Sequence, residues 1–353
     1  MSAARSLPIM SRRSLTLAIA SVATVAAIAV AVLFPVPYVI LTPGPTLNTL
    51  GKDSSGQPLI AITGHPTYPA NGHLNLVTIS YMGGPGVRLN IFQALRAWLA
   101  PSEAVVPESE IFPPGQTAQQ TQVQDGQQMA SSQQLATAAA LSELHISYQP
   151  QVQVLSTVAG YPASKSLKAG DIIEAVDGKP VTSPASLSST ITAHPAGSTL
   201  QLQVLRGTQT LTVPVTSKES NGTPVIGVDV RQTYKFPFNV RITVGAIGGP
   251  SAGMMFALGI IDMLTPDNLT NGKFIAGTGE ITASGQVGPI GGIQQKMVGA
   301  RDAGATVFLT PAGNCSDTVG AVPAGLKLVK VSTLSQAVSD LEAIKAGKPV
   351  PSC

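Results

Sequence analysis

Charge is what this sequence has least of. Asp, Glu, Lys and Arg make up 11% of its residues, against roughly 25% in an ordinary soluble protein. The formal net charge is +3, and Arg5, Arg12 and Arg13 at the N-terminus account for it. The remainder is balanced and offers no electrostatic case for nucleic acid. Cysteine is nearly missing: Cys315 and Cys353 are the only two. That excludes a disulfide framework and a four-cysteine zinc site, and no metal or cofactor is implied. There are 4 histidines, and the last in the chain is His194. What is present is apolar: 44% of the residues, enough for real cores and against wholesale disorder. The 353 residues suggest two or three domains. The 35 glycines and 28 prolines suggest many turns and few long helices.

Leu15 to Phe34 carries no charge and is dominated by Ala, Val, Ile and Leu. A helix of that length spans about 30 Å, the thickness of a bilayer's hydrocarbon core. The arginines before it, with no basic residue after it until Lys52, predict a cytoplasmic N-terminus (1–14) and a single-pass span (15–34). The bulk of the chain is then outside the cell membrane's cytoplasmic face. A cleaved signal peptide is the competing reading, because Ala29-Val30-Ala31 has a peptidase-acceptable pattern. The apolar stretch is longer than a signal core of about 7–15 residues, which favours the anchor. In that compartment Cys315 and Cys353 either pair or remain two free thiols.

Residues 35–146 form a membrane-proximal mixed region. Pro35-Val36-Pro37 breaks the helix, and Pro-Gly-Pro at 43–45 continues an extended exit. Leu59–Ile62 and Leu74–Ile79 look like strands, and Asn90–Leu99 like a short helix with Ile91, Leu95 and Leu99 on one face. Residues 116–140, rich in Gln, Ala and Ser, fit a linker or a helix, with a helix favoured from Met129 onward.

From residue 147 the pattern becomes β-rich. A strand at Val152–Leu155 is followed by a loop, then Gly170-Asp171-Ile172-Ile173, an Asp177-Gly178 turn and Lys179-Pro180-Val181. A helix starts at Ser183 (N-cap) and Pro184, and strands 199–205 and 209–215 close a hairpin. Residues 147–217 resemble a PDZ domain. The resemblance implies capture of an extended peptide at a strand edge. Val158, Ala159, Gly160 and Tyr161 would then hold a terminal carboxylate, although they lack the usual Gly-Leu-Gly-Phe form. A β-rich spacer that binds nothing is the bland alternative.

In the C-terminal third, Gly248-Gly249-Pro250-Ser251-Ala252-Gly253 opens a helix to about Leu264 that is apolar on all sides and therefore buried. A serine at a helix start, where N–H groups are unpaired, has the setting a nucleophile needs. It is also where serine ordinarily serves as a cap. No histidine follows residue 194, so a base within this region must be a lysine whose pKa burial has lowered. Lys296, after Val287–Gln295 and with neutral neighbours until Arg301, fits; the other C-terminal lysines read as surface charge.

Gly-Pro-Ser-Ala-Gly at 249–253, Thr278-Gly279-Glu280-Ile281-Thr282, Gly285, Val287, Pro289-Ile290-Gly291-Gly292 and Lys296 resemble the proteolytic domain of Lon. Residues 301–311, Asn314 and Asp317 continue the match, which covers 235–345. The whole is similar to bacterial membrane-anchored, PDZ-containing Lon-like serine peptidases. The fold class this implies is multidomain α+β: one N-terminal transmembrane helix, a β-rich PDZ domain and a C-terminal α/β Lon-type proteolytic domain. The resemblance implies Ser251 as nucleophile, Lys296 as general base and Thr278 as the hydroxyl that orients the lysine. It places the oxyanion at backbone N–H groups of Gly249 and Ser251. Its partners are polypeptide substrates, the lipid bilayer and further copies of the chain in a hexameric ring. Two departures stand out: Gly248 where many Lon proteins carry Asp, and about two extra residues in the Thr265–Lys273 loop. No Gly-x4-Gly-Lys-Ser/Thr loop occurs, so proteolysis is expected without ATP. The rival reading is a non-catalytic PDZ adaptor on a decayed protease fold. Peptidase action inside the bilayer is disfavoured, because the motifs lie far from the only span.

Overall fold

The computed structural model describes residues 12–53 and 55–353. The expected N-terminal segment 1–14 therefore lies, as far as residue 11, outside the described residues. Helix α1 (Arg12–Leu33) is apolar and unburied. It is the one helix among the described residues long and apolar enough to cross a membrane, and so a candidate membrane anchor. Pro35-Val36 ends it and pairs with Leu89-Asn90.

The strands β1 (Tyr38–Asn48) and β2 (His73–Met82) pair antiparallel, with a register shift between Pro43 and Thr46. Pro-Gly-Pro at 43–45 thus makes a bulge inside a strand, one of the few places where a sheet tolerates proline. Helix α2 (Ile91–Leu99) and strand β3 (Ala104–Pro107) follow. Helix α3 (Ala118–Glu143) begins eleven residues earlier than the expected Met129. The reason is local: Thr117 and Gln120 form a reciprocal capping box that fixes the start.

Strands β4 (Gln149–Thr157) and β5 (Ile172–Val176), helix α4 (Pro184–Thr192), strands β6 (Thr199–Arg206) and β7 (Gln209–Thr216), and strand β8 (Val228–Lys235) form the β-rich unit. Its sheet runs β7-β6-β5-β4-β8, over a core that includes Val152, Ile173, Leu187 and Leu202. Ser183 caps α4 as expected, accepting from Ser186 N–H. Asp171, fully buried, accepts from Arg206 Nε (2.8 Å) and Nη2 (2.7 Å) and from Lys168 N–H (2.8 Å). This ties the Gly-Asp corner to β6. The last strand, β8, lies beyond the boundary of 217 and pairs with β4 along its whole length.

Helix α5 (Gly253–Leu264), strand β9 (Phe274–Gly277), helix α6 (Ile293–Asp302), strands β10 (Val307–Pro311) and β11 (Lys327–Val331) and helix α7 (Leu334–Lys345) complete the chain. The large sheet runs β11-β10-β9-β2-β1-β3. The first four strands are parallel, and β1 pairs antiparallel with both β2 and β3. Alternate residues serve the two faces: Ile275, Leu309 and Val329 pack toward α5 and α7, while Ala276, Phe308 and Leu328 pack toward α6. Each buried Leu, Ile, Met or Phe contributes about 1.5–3 kcal/mol.

Residues 35–146, read from sequence as a region apart, therefore supply β1, β2 and β3 to the C-terminal sheet. The apolar helix α5 cannot be covered by C-terminal residues alone. The rear half of α3 closes over it with Ala136, Ala139, Ala140 and Leu141. Cys315 and Cys353 are paired, with Cα atoms 5.1 Å apart.

Candidate active site

Helix α5 starts at Gly253 and takes Ala252 as its N-cap, without a side-chain cap bond. The hydroxyl of Ser251 is therefore not used for capping. Lys296 comes from the second turn of α6, on the opposite layer. Its helix opens at Gly292, whose φ of 68° is left-handed. A Cβ there would also approach Ile79 Cγ2 to 2.9 Å, so the turn into the lysine helix requires glycine.

The two elements meet under the Gly-Gly-Pro turn. Lys296 Nζ lies 2.8 Å from Ser251 Oγ and 3.1 Å from Thr278 Oγ1. The Thr278 hydroxyl donates to the Ser251 carbonyl at 2.9 Å. Its proton being committed there, Thr278 can only accept from the lysine. Thr278 is fully buried and Lys296 is 2% exposed. Burial lowers the Lys296 pKa from about 10.5 to about 7, partly opposed by the charge of Glu280. The N-terminal end of α6 also disfavours an ammonium. Near neutral pH a substantial fraction of Lys296 is thus an uncharged amine, with a lone pair free to accept the Ser251 proton.

The backbone of the turn differs from expectation. Gly249, expected to help hold an oxyanion, donates its N–H to the Asp125 carbonyl at 3.1 Å. Among the described residues the N–H groups of Ser251 and Ala252 have no acceptor, and these are the donors available to a developing negative charge. Pro250's carbonyl accepts from Ser132 Oγ at 2.9 Å, which pins the turn from behind. Gly248 also has a physical reason: a Cβ there would sit 2.5 Å from the Asp125 Cβ, so a larger residue at 248 collides with α3. Burial raises the Asp125 pKa, and a hydrogen bond from Tyr81 opposes the rise. Asp125 and Ser132 escaped the sequence reading because more than a hundred residues separate them from the turn they touch. Among the described residues no three His, Cys, Asp or Glu side chains gather as a metal site requires.

The β-rich unit carries a second concavity of about 360 Å³ between α4 and β8. Leu187 and Ile191 of α4 face Val228 and Val230 of β8 across it. Of the four loop residues expected to bind peptide, Val158 and Tyr161 line its end, while Ala159 and Gly160 lie outside the lining. The strand edge beside the groove belongs to β8, which pairs only with β4 in its sheet. The alternation of Val228 and Val230 was the available signal for that strand.

A family model for the Lon protease (S16) C-terminal proteolytic domain matches residues 221–343, and one for the PDZ domain matches residues 122–216. Lon protease 2 of Herpetosiphon aurantiacus is 38% identical over 94 residues, which are 26% of this chain and 11% of that protein. Lon protease of Syntrophomonas wolfei is 33% identical over 136 residues, 36% of this chain and 16% of that protein. The chain thus spans only a small part of these relatives' length. The PDZ domain of the SdrC-like protein from Listeria innocua is 28% identical over 23% of this chain and 92% of its own, with a TM-score of 0.22. The chain carries a PDZ domain and a Lon-type proteolytic domain, the latter of the serine-peptidase class.

Proposed function

We propose that this chain is a membrane-anchored serine endopeptidase that cleaves exported or misfolded polypeptides without ATP, using Ser251 and Lys296. The neutral amine of Lys296 takes the Ser251 proton as Oγ attacks the scissile carbonyl. The N–H groups of Ser251 and Ala252 receive the oxyanion. The resulting ammonium returns its proton to the leaving amine, and an acyl-enzyme remains on Ser251. Water, deprotonated by the same amine, then attacks the ester, and the ammonium returns that proton to Oγ as Ser251 leaves and the carboxylic product is freed. Thr278 holds the amine in line by accepting one of its N–H bonds.

The observation that carries this reading is the 2.8 Å approach of a buried lysine to an uncapped serine hydroxyl. Packing alone does not call for a buried lysine, a serine and a threonine at one point, which speaks against a decayed fold kept only for binding. The groove between α4 and β8 suits an extended segment added to the β8 edge, with apolar side chains entering between Leu187 and Val228. The sequence has no nucleotide-binding P-loop, which supports turnover without ATP. Anchoring by α1, with the N-terminus cytoplasmic and the catalytic unit outside, and assembly as a hexameric ring complete the proposal.

The test is turnover of casein by the full chain in detergent without ATP, beside Ser251→Ala and Lys296→Ala. The parent should cleave, and each variant should lose about 10³-fold or more. An inert parent, even with a PDZ-binding peptide present, would put the binding-protein reading first. Mass photometry of the same sample checks the ring.

A further inference from the structure

Helix α2 faces the wrong way for a water-soluble protein. Its capping box, Asn90 with Gln93, sets it locally. Its buried residue is Ala97, while Ile91, Phe92, Leu95, Trp98 and Leu99 are all exposed. At 100° per residue those five fall within one arc, roughly opposite Ala97. A surface helix normally turns such an arc to the core. Here Trp98 is 72% and Leu99 69% exposed, against 0% for Ala97.

The position of the helix says what covers that arc. The pairing of Pro35 with Asn90 and Val36 with Leu89 places the start of α2 beside the end of α1, and the two helices touch. Exposed Phe34, on the last turn before that pairing, continues the apolar surface. Arg96 borders the arc and pairs with Glu103 at 3.1 Å, and exposed Arg88 precedes the helix. Apolar residues with a tryptophan, edged by arginine and adjoining a membrane span, are the composition of a helix lying in the lipid interface.

We propose that α2 lies in the headgroup–acyl boundary of the membrane that α1 spans, with its apolar arc in the lipid. This rests on the reading of α1 as an anchor. Because α2 also packs on β1 and β3, its contact fixes the orientation of the catalytic sheet to the membrane, which one flexibly joined span cannot do. A second copy of the chain is the other surface that could cover the arc.

Trp98 is the chain's single tryptophan, so its fluorescence reports this helix alone. The full chain is reconstituted in phosphatidylethanolamine–phosphatidylglycerol vesicles, with lipids brominated close to the headgroup in one sample. The proposal expects loss of about half the Trp98 emission or more to those lipids, since such helices sink ~5–10 Å, and poor access for aqueous acrylamide. In Leu95→Glu/Leu99→Glu, Trp98 should become acrylamide-accessible while the chain stays on the vesicles. Trp98 open to acrylamide in the parent, or shielded from both quenchers as in a contact between copies, would overturn the proposal. Release of the parent by alkaline carbonate would instead defeat the anchor reading of α1.

Discussion

Lys296 is costly to the fold, and the sign of that cost can be measured. Holding its pKa near 7 rather than 10.5 corresponds to ~1.4 kcal/mol per unit, on the order of 5 kcal/mol of stability forgone. The unfolded chain binds this proton more tightly, so the penalty is complete below about pH 7 and fades as the pH rises toward the unfolded value. Replacing Lys296 with Met, of similar length and no charge, should stabilise the protein by a few kcal/mol at neutral pH while abolishing turnover. The gain should shrink above pH 7, as denaturant melts at stepped pH would show. Thr278 makes a different demand. Thr278→Val leaves one lysine N–H without its acceptor in a dry site, about 1–3 kcal/mol, while the Ser251 carbonyl keeps the Gly279 N–H at 2.8 Å. We expect kcat to fall tenfold to a hundredfold, an order of magnitude from that energy, and Thr278→Ser to restore most of it. Equal activity in both variants would show that the hydroxyl does not position the amine.

At the scale of elements, the Asp171–Arg206 pair staples the corner before β5 to β6. Arg206 holds the Asp171 carboxyl below its ordinary value, with the Lys168 N–H adding to the effect. The stability this contributes is present above pH 3.8 and is lost as the pH falls through the lower folded-state value. Arg206→Ala leaves a buried carboxylate without its partner. It should lower the melting temperature of the PDZ unit more than Arg231→Ala, which removes only two exposed bonds to Gln153 Oε1. The Gly-Asp corner, the Ser183 cap and α5 were readable because each rests on neighbours in sequence. Lys296 could be singled out by elimination of histidine and by its apolar flanks. What was not readable depends on distance along the chain. The front half of α3 reaches the Gly-Gly-Pro-Ser turn through one backbone carbonyl, and β8 enters its sheet last. Polar Gln-rich residues carry no periodicity that would betray the first, and a boundary set at 217 cut off the second.

The whole molecule joins these parts into one catalytic body. Residues on both sides of the PDZ insertion build the large sheet, so β1 and β2 from the N-terminal side and α5 and α6 from the C-terminal side are folded together. The Cys315–Cys353 bond closes the far end with a sequence separation of 38. In the chain-entropy account it is worth about 4 kcal/mol. It holds the turn in which Asn314 Oδ1 accepts from the Ile290 N–H at 2.9 Å, just ahead of α6. Cys353→Ser should lower the melting temperature and remove its response to reductant, and an unchanged melt would show that the bond is dispensable. All of this serves to bring one buried amine to one serine hydroxyl. The most direct measurement is the rate at which a fluorophosphonate probe acylates Ser251 in the full chain, followed from about pH 5 to 9. That rate should rise with a single apparent pKa of about 7 and vanish in Lys296→Ala. A rate independent of pH across that range, or one that survives in Lys296→Ala, would contradict it.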